Sequence, residues 1–422
     1  MEDVQRSAIE GLCRAVSSCR MCASEDVTLY LDLGNHPPSD QFRTLEELSL
    51  PEVRYPLRVL LCQSCGLSQL SHVVDPRVLY QHDYPYESST TKTGKMHWDE
   101  FAKNVVARLA LPAGSLVVDI GSNVGTLLDS FKSTGMQVAG IDPAPNIVEK
   151  ANAAGIPTVC DFYGIPAAQE VVAAHGHAAA IVGTNVFAHI DDLDAVMAAN
   201  KELLAPGGVF VFESPHFGPL VEHLEYDTIY HEHLSYLSLK PVVMFAERHG
   251  LEAFAVEESA IHGGSFRVYI GEKGMRPVDA SIADLLAREE HEGLHSLTTL
   301  QSFAKRVAEN REALRRLVEE LLASGKKIAG LSAPAKGMTL LNYCGFSTRE
   351  LAFLTEKSTL KIGRYSPGGY IPILDDAALL SEKADYALLL AWNFAPEIIK
   401  NTKEFSDAGG KYIIPIPAPK IV

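Results

Sequence analysis

Two cysteine pairs, Cys19-Arg20-Met21-Cys22 and Cys62-Gln63-Ser64-Cys65, carry the plainest chemistry in this 422-residue chain. Two Cys-x-x-Cys knuckles supply four thiolates, the donor set of tetrahedral zinc. With sulfur in every position no coordination site is left for catalysis, so a structural zinc ion is expected. Cys13 is a spare whose spacing to Cys19 fits a knuckle poorly.

A second group is Thr228-Ile229-Tyr230-His231-Glu232-His233-Leu234-Ser235-Tyr236, dense in side chains that exchange protons. Histidine titrates near neutral pH, and a neighbouring glutamate can orient it and offset its charge. Tyr230, Glu232 and His233 are therefore candidates for acid–base work. The spacing is not that of the helical His-Glu-x-x-His zinc proteases. His189, in Asn185-Val186-Phe187-Ala188-His189, could converge on the same pocket, although a histidine of this kind, taken alone, is more often a hydrogen-bonded core or surface residue.

The third group lies where a strand meets a turn. Leu116-Val117-Val118-Asp119-Ile120 is an apolar run ending in a carboxylate, and Gly121-Ser122-Asn123-Val124-Gly125 follows. Gly121 and Gly125 permit tight backbone and close approach by a ligand. Asp142 ends the next strand about 20 residues later, where a carboxylate can accept hydrogen bonds from ribose hydroxyls. Asn123 stands in the second glycine slot of the usual dinucleotide turn, a departure that suits S-adenosylmethionine. That ligand has no pyrophosphate, and Asp119 can face its amino-acid end. Asp161 and Phe162 could supply a carboxylate near the adenine and an aromatic wall, and Asn185 follows another strand; loop capping and packing are the plainer roles for these three.

The elements that must position these groups follow from periodicity. From residue 115, strands at Leu116–Ile120, Gln137–Ile141, Ala178–Gly183 and Val209–Glu213 alternate with helical patterns at 127–131, 147–154 and 193–204. Such alternation implies an α/β fold with a mainly parallel sheet covered on both faces. Ser265–Ile270 reads as an added edge strand, with an antiparallel setting open. Residues 279–324 keep a helical period, and beyond Lys326 strands return at Ile328–Leu331, Leu351–Thr355, Tyr386–Ala391 and Lys411–Ile414. The expected organisation is a zinc-binding lobe over 1–75 and a central class I methyltransferase, Rossmann-like domain over 76–278. Connecting helices over 279–325 then lead to a second, smaller Rossmann-like α/β domain over 326–422.

Composition narrows the function classes. The chain is 47% hydrophobic and 21% charged, as globular proteins are. Its net charge of −16, with no run of Lys and Arg, disfavours general nucleic-acid binding. No stretch approaches the roughly 18 uninterrupted apolar residues of a membrane span, and the acidic start lacks a signal-peptide pattern. A cytoplasmic protein, monomeric or weakly dimeric, is expected.

Together the motifs resemble those of the nucleotide-sugar C-methyltransferases, and within them the C-3 methyltransferases of nucleoside-diphosphate 4-keto-6-deoxy sugars. The likeness runs through Leu33-Gly34-Asn35-His36-Pro37-Pro38-Ser39-Asp40-Gln41-Phe42, Tyr84-Pro85-Tyr86-Glu87-Ser88-Ser89, Tyr230–His233, His262-Gly263-Gly264-Ser265-Phe266-Arg267 and Tyr386–Asn393. The resemblance implies His233 as base with Glu232 and Tyr230 beside it, His189 as a second active-site histidine, and Tyr84 or Tyr86 entering from the N-terminal lobe. It also implies that the last domain helps hold the sugar nucleotide, and there a more glycine-rich turn than Leu331-Ser332-Ala333-Pro334-Ala335-Lys336 is expected. Two other readings fit parts of the pattern: a small-molecule O- or N-methyltransferase, and a zinc-ribbon adaptor or nucleic-acid-binding protein with a degenerate cofactor fold.

Overall fold

The structure, a computed structural model, describes residues 11–80 and 92–422. At its centre is a seven-stranded sheet in the order Leu251–Ser259, Ser265–Glu272, Leu204–Pro215, Ala178–Thr184, Leu116–Ile120, Gln137–Asp142, Thr158–Cys160. The last five of these run parallel. Leu116–Ile120 is buried at every residue, as a strand covered on both faces must be. Val117 packs with Phe101 of helix Lys92–Leu109 and Phe131 of helix Thr126–Ser133. Val118 and Ile120, pointing the other way, pack with Val196 and Phe245 of the opposite layer.

One sequence expectation is corrected here. Ser265–Glu272 is antiparallel but interior, paired on one side with Leu204–Pro215 and on the other with Leu251–Ser259, which is the edge. The two run as a hairpin, reversing through Ile261–Gly263 and Gly264. The reversal lacks the two-residue turn signature of a short hairpin.

The N-terminal lobe carries a four-stranded antiparallel sheet ordered Ser235–Tyr236, Ser68–Leu70, Tyr55–Cys62, Val27–His36. Its first strand belongs to the histidine-rich segment, so that segment is stitched into the cysteine lobe. The C-terminal sheet is ordered Ile373–Asp375, Leu354–Glu356, Ile328–Leu331, Tyr386–Leu389, Lys411–Ile414, Lys420–Ile421, all parallel except the last pair. Ile373–Asp375 and Lys420–Ile421, absent from the sequence expectation, span three and two residues, too short for a period to show. At Ser332, φ is +71°, so serine takes the left-handed position where a glycine is expected. No helix among the described residues is long and apolar enough to cross a membrane.

Two helices, Ala280–His291 and Leu297–Ala323, lead into the C-terminal sheet. The second buries Leu300, Phe303, Val307, Asn310, Leu314 and Val318 along one face. The first delivers Glu289, only 1% exposed, to the N-terminus of helix Leu239–Arg248. Its carboxylate accepts from Leu239 N at 2.6 Å, Lys240 N at 3.0 Å and His216 Nε2 at 2.8 Å. Burial opposes the charge, but the His216 bond and the two amides outweigh it and hold the carboxyl below its usual range. Removing such a carboxylate leaves three buried donors unmet, so Glu289→Ala is expected to cost about 3 kcal/mol. Thermal unfolding of the full chain checks this; an unchanged transition would show that the pairing contributes nothing.

Candidate functional site

The four cysteine sulfurs lie within 4.8 Å of one another, Cys19 and Cys65 Sγ at 3.5 Å and Cys22 and Cys62 Sγ also at 3.5 Å. All but Cys22 are buried. Four converging thiols of the first knuckle and the second fit a zinc ion held entirely by protein. Cys13, the spare, lies outside this group. Gly66 completes the second knuckle at φ +87°, where an added Cβ would sit 2.6 Å from the His295 ring.

The residue between the first two thiolates reaches further. Arg20, its side chain 3% exposed, donates from Nε to Asp191 Oδ1 at 3.1 Å and from Nη1 to the carbonyls of Leu70 and Leu234 at 3.2 and 3.1 Å. Asp191 lies two residues after His189, and Leu234 directly follows His233. One guanidinium therefore joins the cysteine knuckle to both histidine segments, a link that cysteine spacing alone does not signal.

The histidines do meet. The His189 and His233 ring centroids are 4.8 Å apart, and Tyr230 lies against His233 at 4.0 Å. His233 Nδ1 is 2.6 Å from the carbonyl oxygen of Thr228. A carbonyl only accepts, so Nδ1 carries a proton, and in the neutral ring the lone pair is then on Nε2. That is the tautomer of a base. His189 is held well below its usual pKa by burial and by the charge His233 takes on when protonated, and it stays a neutral imidazole. Glu232 is buried near them. His231, in the middle of the cluster, points elsewhere: its Nε2 is 3.2 Å from the carbonyl of Tyr55, and burial above all pushes its pKa down to about 3.

Tyr84 and Tyr86 lie outside the described residues. The tyrosine that reaches the histidines within them is Tyr80, whose hydroxyl is 3.3 Å from His189 Nδ1. Burial, then the charges of Glu232 and Asp40, raise its pKa well above the usual value and keep it a phenol. Sequence reasoning passed over Tyr80 because nothing in its immediate neighbours marks it.

At the strand end beside this cluster, Gly121, Asn123 and Gly125 all have positive φ, at 65°, 50° and 81°. Asparagine tolerates that region better than most residues, which explains its place in the glycine slot. At Gly121 an added Cβ would lie 2.8 Å from Val186 Cγ2. Asp142 organises the turn: Oδ2 accepts from Asn123 N at 2.9 Å and Oδ1 from Ala144 N at 3.0 Å. Burial nevertheless raises its pKa. Asp119 Oδ1, Ser122 Oγ and Asn185 Oδ1 are buried with no hydrogen-bond partner among the described residues. Such orphaned groups around a backbone cradle fit a ligand bearing an ammonium group and hydroxyls. Asp161 is exposed and caps its own loop through Phe162 N at 2.8 Å, and Phe162 is half-buried.

Sequence reasoning also missed His97, Glu213 and Arg267. His97 Nε2 is 2.6 Å from Glu213 Oε1, and Arg267 Nη2 donates to Glu213 Oε2 at 2.8 Å. They line a cavity of about 600 Å³ that Asn393 and Phe394 of the C-terminal lobe also border.

A parallel sheet with a glycine-rich turn at its carboxyl edge, beside paired histidines and a four-thiolate centre, defines a class I methyltransferase. Family models agree: a methyltransferase domain matches residues 95–256, a zinc binding domain 19–80 and a C-methyltransferase C-terminal domain 260–417. The chain is 36% identical to the C-methyltransferase NovU of Streptomyces niveus over 98% of its own length and 99% of that protein. It is also 34% identical over 106 residues to the ubiquinone biosynthesis O-methyltransferase of Xanthomonas oryzae, 25% of this chain and 44% of that one. The magnesium protoporphyrin IX methyltransferase of Synechocystis PCC 6803 aligns at TM-score 0.33 and 14% identity over 42% of this chain and 83% of its own. The chain belongs to the C-methyltransferase family. Its cofactors are S-adenosylmethionine as methyl donor and zinc.

Two outcomes are expected. Asp142→Ala frees the Asn123 amide of the turn and the Ala144 amide that follows the strand, and should weaken S-adenosylmethionine binding at least tenfold by calorimetry, about 1.4 kcal/mol; an unchanged affinity would remove Asp142 from the cofactor cradle. Arg20→Met should leave one zinc per chain by metal analysis while lowering methyl transfer at least tenfold. Loss of zinc together with activity would mean that Arg20 serves the knuckle alone.

Proposed function

We propose that the chain methylates a nucleoside-diphosphate 4-keto-6-deoxy sugar at C-3. The observation that carries the reading is the meeting of His189, Tyr230 and Tyr80 at His233; the 600 Å³ cavity bordered by Arg267 and Asn393 also has an acidic wall of Glu100, Glu213, Glu257 and Glu258. Lys336 donates to Asn393 Oδ1 and stands at the first turn of helix Ala335–Cys344. Lys361 Nζ, 2.9 Å from the carbonyl of Ala333, adds a second ammonium beside the same turn. In a chain of net charge −16, two lysines at a helix N-terminus suit a diphosphate.

The chemistry argues for the ketone. A histidine base removes a proton from carbon only where a neighbouring carbonyl can take the electron pair. In this reading Nε2 of His233 takes the C-3 proton, Glu232 offsets the charge of the imidazolium, and the electron pair moves onto the ketone oxygen as an enolate. Neutral His189, with Tyr80 and Tyr230, holds that oxygen. Tyr84 or Tyr86 remains a candidate for the same role. Asp119, Asn123 and Asn185 would hold the cofactor's polar groups, Asp142 its ribose, and Asp161 and Phe162 its adenine. S-adenosylmethionine, when bound, supplies an electrophilic methyl group. The protein's own share is positioning and charge stabilisation. Zinc-held thiolates suit a reducing compartment, and a cytoplasmic setting is part of the proposal.

A panel of nucleoside-diphosphate 4-keto sugars, read by mass spectrometry for a gained methyl group, tests the substrate class. A 4-keto-6-deoxy sugar should gain one methyl at C-3. In deuterium oxide without methyl donor, the wild type should exchange the C-3 hydrogen, and His233→Ala should slow both exchange and transfer by about 10²–10⁴-fold with cofactor affinity intact. Transfer to oxygen or nitrogen with no exchange at carbon would overturn the reading.

A further inference from the structure

The base owes its tautomer to one carbonyl, that of Thr228, and the turn that presents it, Tyr226–Thr228, is held from the C-terminal half of the chain. Tyr226 Oη donates to Asn310 Oδ1 at 2.8 Å, and Asn310 Nδ2 in turn donates to the carbonyls of Pro415 and Pro417. Thr339 Oγ1 donates to the carbonyl of Ile229 at 3.1 Å. Between them sits Asp227, completely buried. Its Oδ2 accepts from Trp392 Nε1 at 2.7 Å, and the Lys336 ammonium, lying over the Trp392 ring, is 4.0 Å from the same oxygen. Asp227 Oδ1 has no hydrogen-bond partner among the described residues.

A buried carboxylate is costly to keep unless it is paired and hydrogen-bonded. A side chain serving only to pack this turn would be better apolar. Burial raises the pKa of Asp227, while the Lys336 ammonium and the Trp392 bond oppose that shift; the carboxyl has a use where it stands, because it fixes the direction of the turn against Trp392 and Lys336.

We propose that Asp227 is a positioning residue for the methyl-transfer reaction: clamped by Trp392 and Lys336 of the C-terminal lobe, it holds the Thr228 carbonyl in place and thereby keeps the proton of His233 on Nδ1 and the lone pair on Nε2. The proposal rests on the reading of His233 as base. It makes the base depend on a lobe that does not itself carry it. Trp392 contributes a hydrogen bond to the carboxylate in addition to its packing, and Lys336 serves the turn as well as holding Asn393.

Two readouts on the full zinc-loaded chain separate this proposal from the reading beneath it. Nitrogen-15 spectra of histidine-labelled protein, with the His233 signals assigned by His233→Gln, report the tautomer without any substrate. Wild type should show the Nδ1-protonated form, and Asp227→Asn and Trp392→Phe should each give a mixture of tautomers. With the 4-keto sugar that turns over fastest, each variant should lower kcat and the rate of carbon deuterium exchange about tenfold or more while KM for donor and acceptor stays within a factor of three. The double variant should be no worse than the poorer single, as expected of two residues acting through one link. Trp392→Phe keeps the packing and carries the test if Asp227→Asn does not fold. Unchanged histidine spectra in a folded variant overturn the proposal. So does a changed tautomer with wild-type rates where His233→Ala is inactive. If His233→Ala turns over normally, the base reading falls first and the positioning role with it.

Discussion

The Arg20 guanidinium is the interaction on which the arrangement of the site depends. It leaves the first cysteine knuckle, is buried, and ends on Asp191 and on the carbonyls of Leu70 and Leu234. Arginine suits this post because its planar fork serves several acceptors at once and keeps its charge when buried. The rigidity behind it comes from the four converging thiolates, whose zinc ion would fix the knuckle far more firmly than the turn's own hydrogen bonds. Leu70 N donates back to the Leu234 carbonyl at 2.9 Å, and Ser235 and Tyr236 pair with Gln69 and Ser68. The cysteine centre is thus joined through Arg20 to the segments that carry His189 and His233.

The histidine segment is held on its other side by Asp227, Trp392, Tyr226 and Asn310. A loop of this length left on the surface would sample many conformations, and each residue fixed costs about 1–2 kcal/mol of entropy. Spanning two lobes distributes that cost over hydrogen bonds that are already needed to join them. The same geometry explains why the lobes are not independent units in contact: a strand of the N-terminal sheet, Ser235–Tyr236, is drawn from the chain between two central-sheet strands, Leu204–Pro215 and Leu251–Ser259.

What the sequence made legible follows from how local each signal is. The strand ending in Asp119, the turn to Gly125 and the two cysteine pairs are contiguous patterns whose chemistry needs no partner to be read. The joining of His189 and His233 was expected from two strand ends, and they meet at 4.8 Å between ring centroids. Arg20, Tyr80, His97 and Glu213 escaped because their roles exist only in contacts between segments far apart in the chain; each is an ordinary residue among its chain neighbours. Asp142 was legible as a carboxylate at a strand end, but its grip on the Asn123 amide of the turn is a tertiary fact. The misplaced edge has a similar cause: Ser265–Glu272 shows the alternation of a half-exposed strand, yet seven of its eight residues are buried because Leu251–Ser259 covers its flank.

The unmet polar atoms at the cofactor cradle turn this architecture into a thermodynamic coupling. Asp119 is desolvated and lies near the charge of Asp142, both of which raise its pKa well above a normal carboxyl. In that state the strand end is destabilised relative to one whose acceptors are satisfied. A ligand that brings a positive charge and donors to this place recovers interactions the folded chain lacks, and its binding free energy appears as added stability of the fold. Because the Asn185 backbone amide donates to the carbonyl of Glu213, and Glu213 holds His97 and Arg267, the cradle and the cavity share one buried network. The glycine turn and the cavity are therefore joined through Glu213.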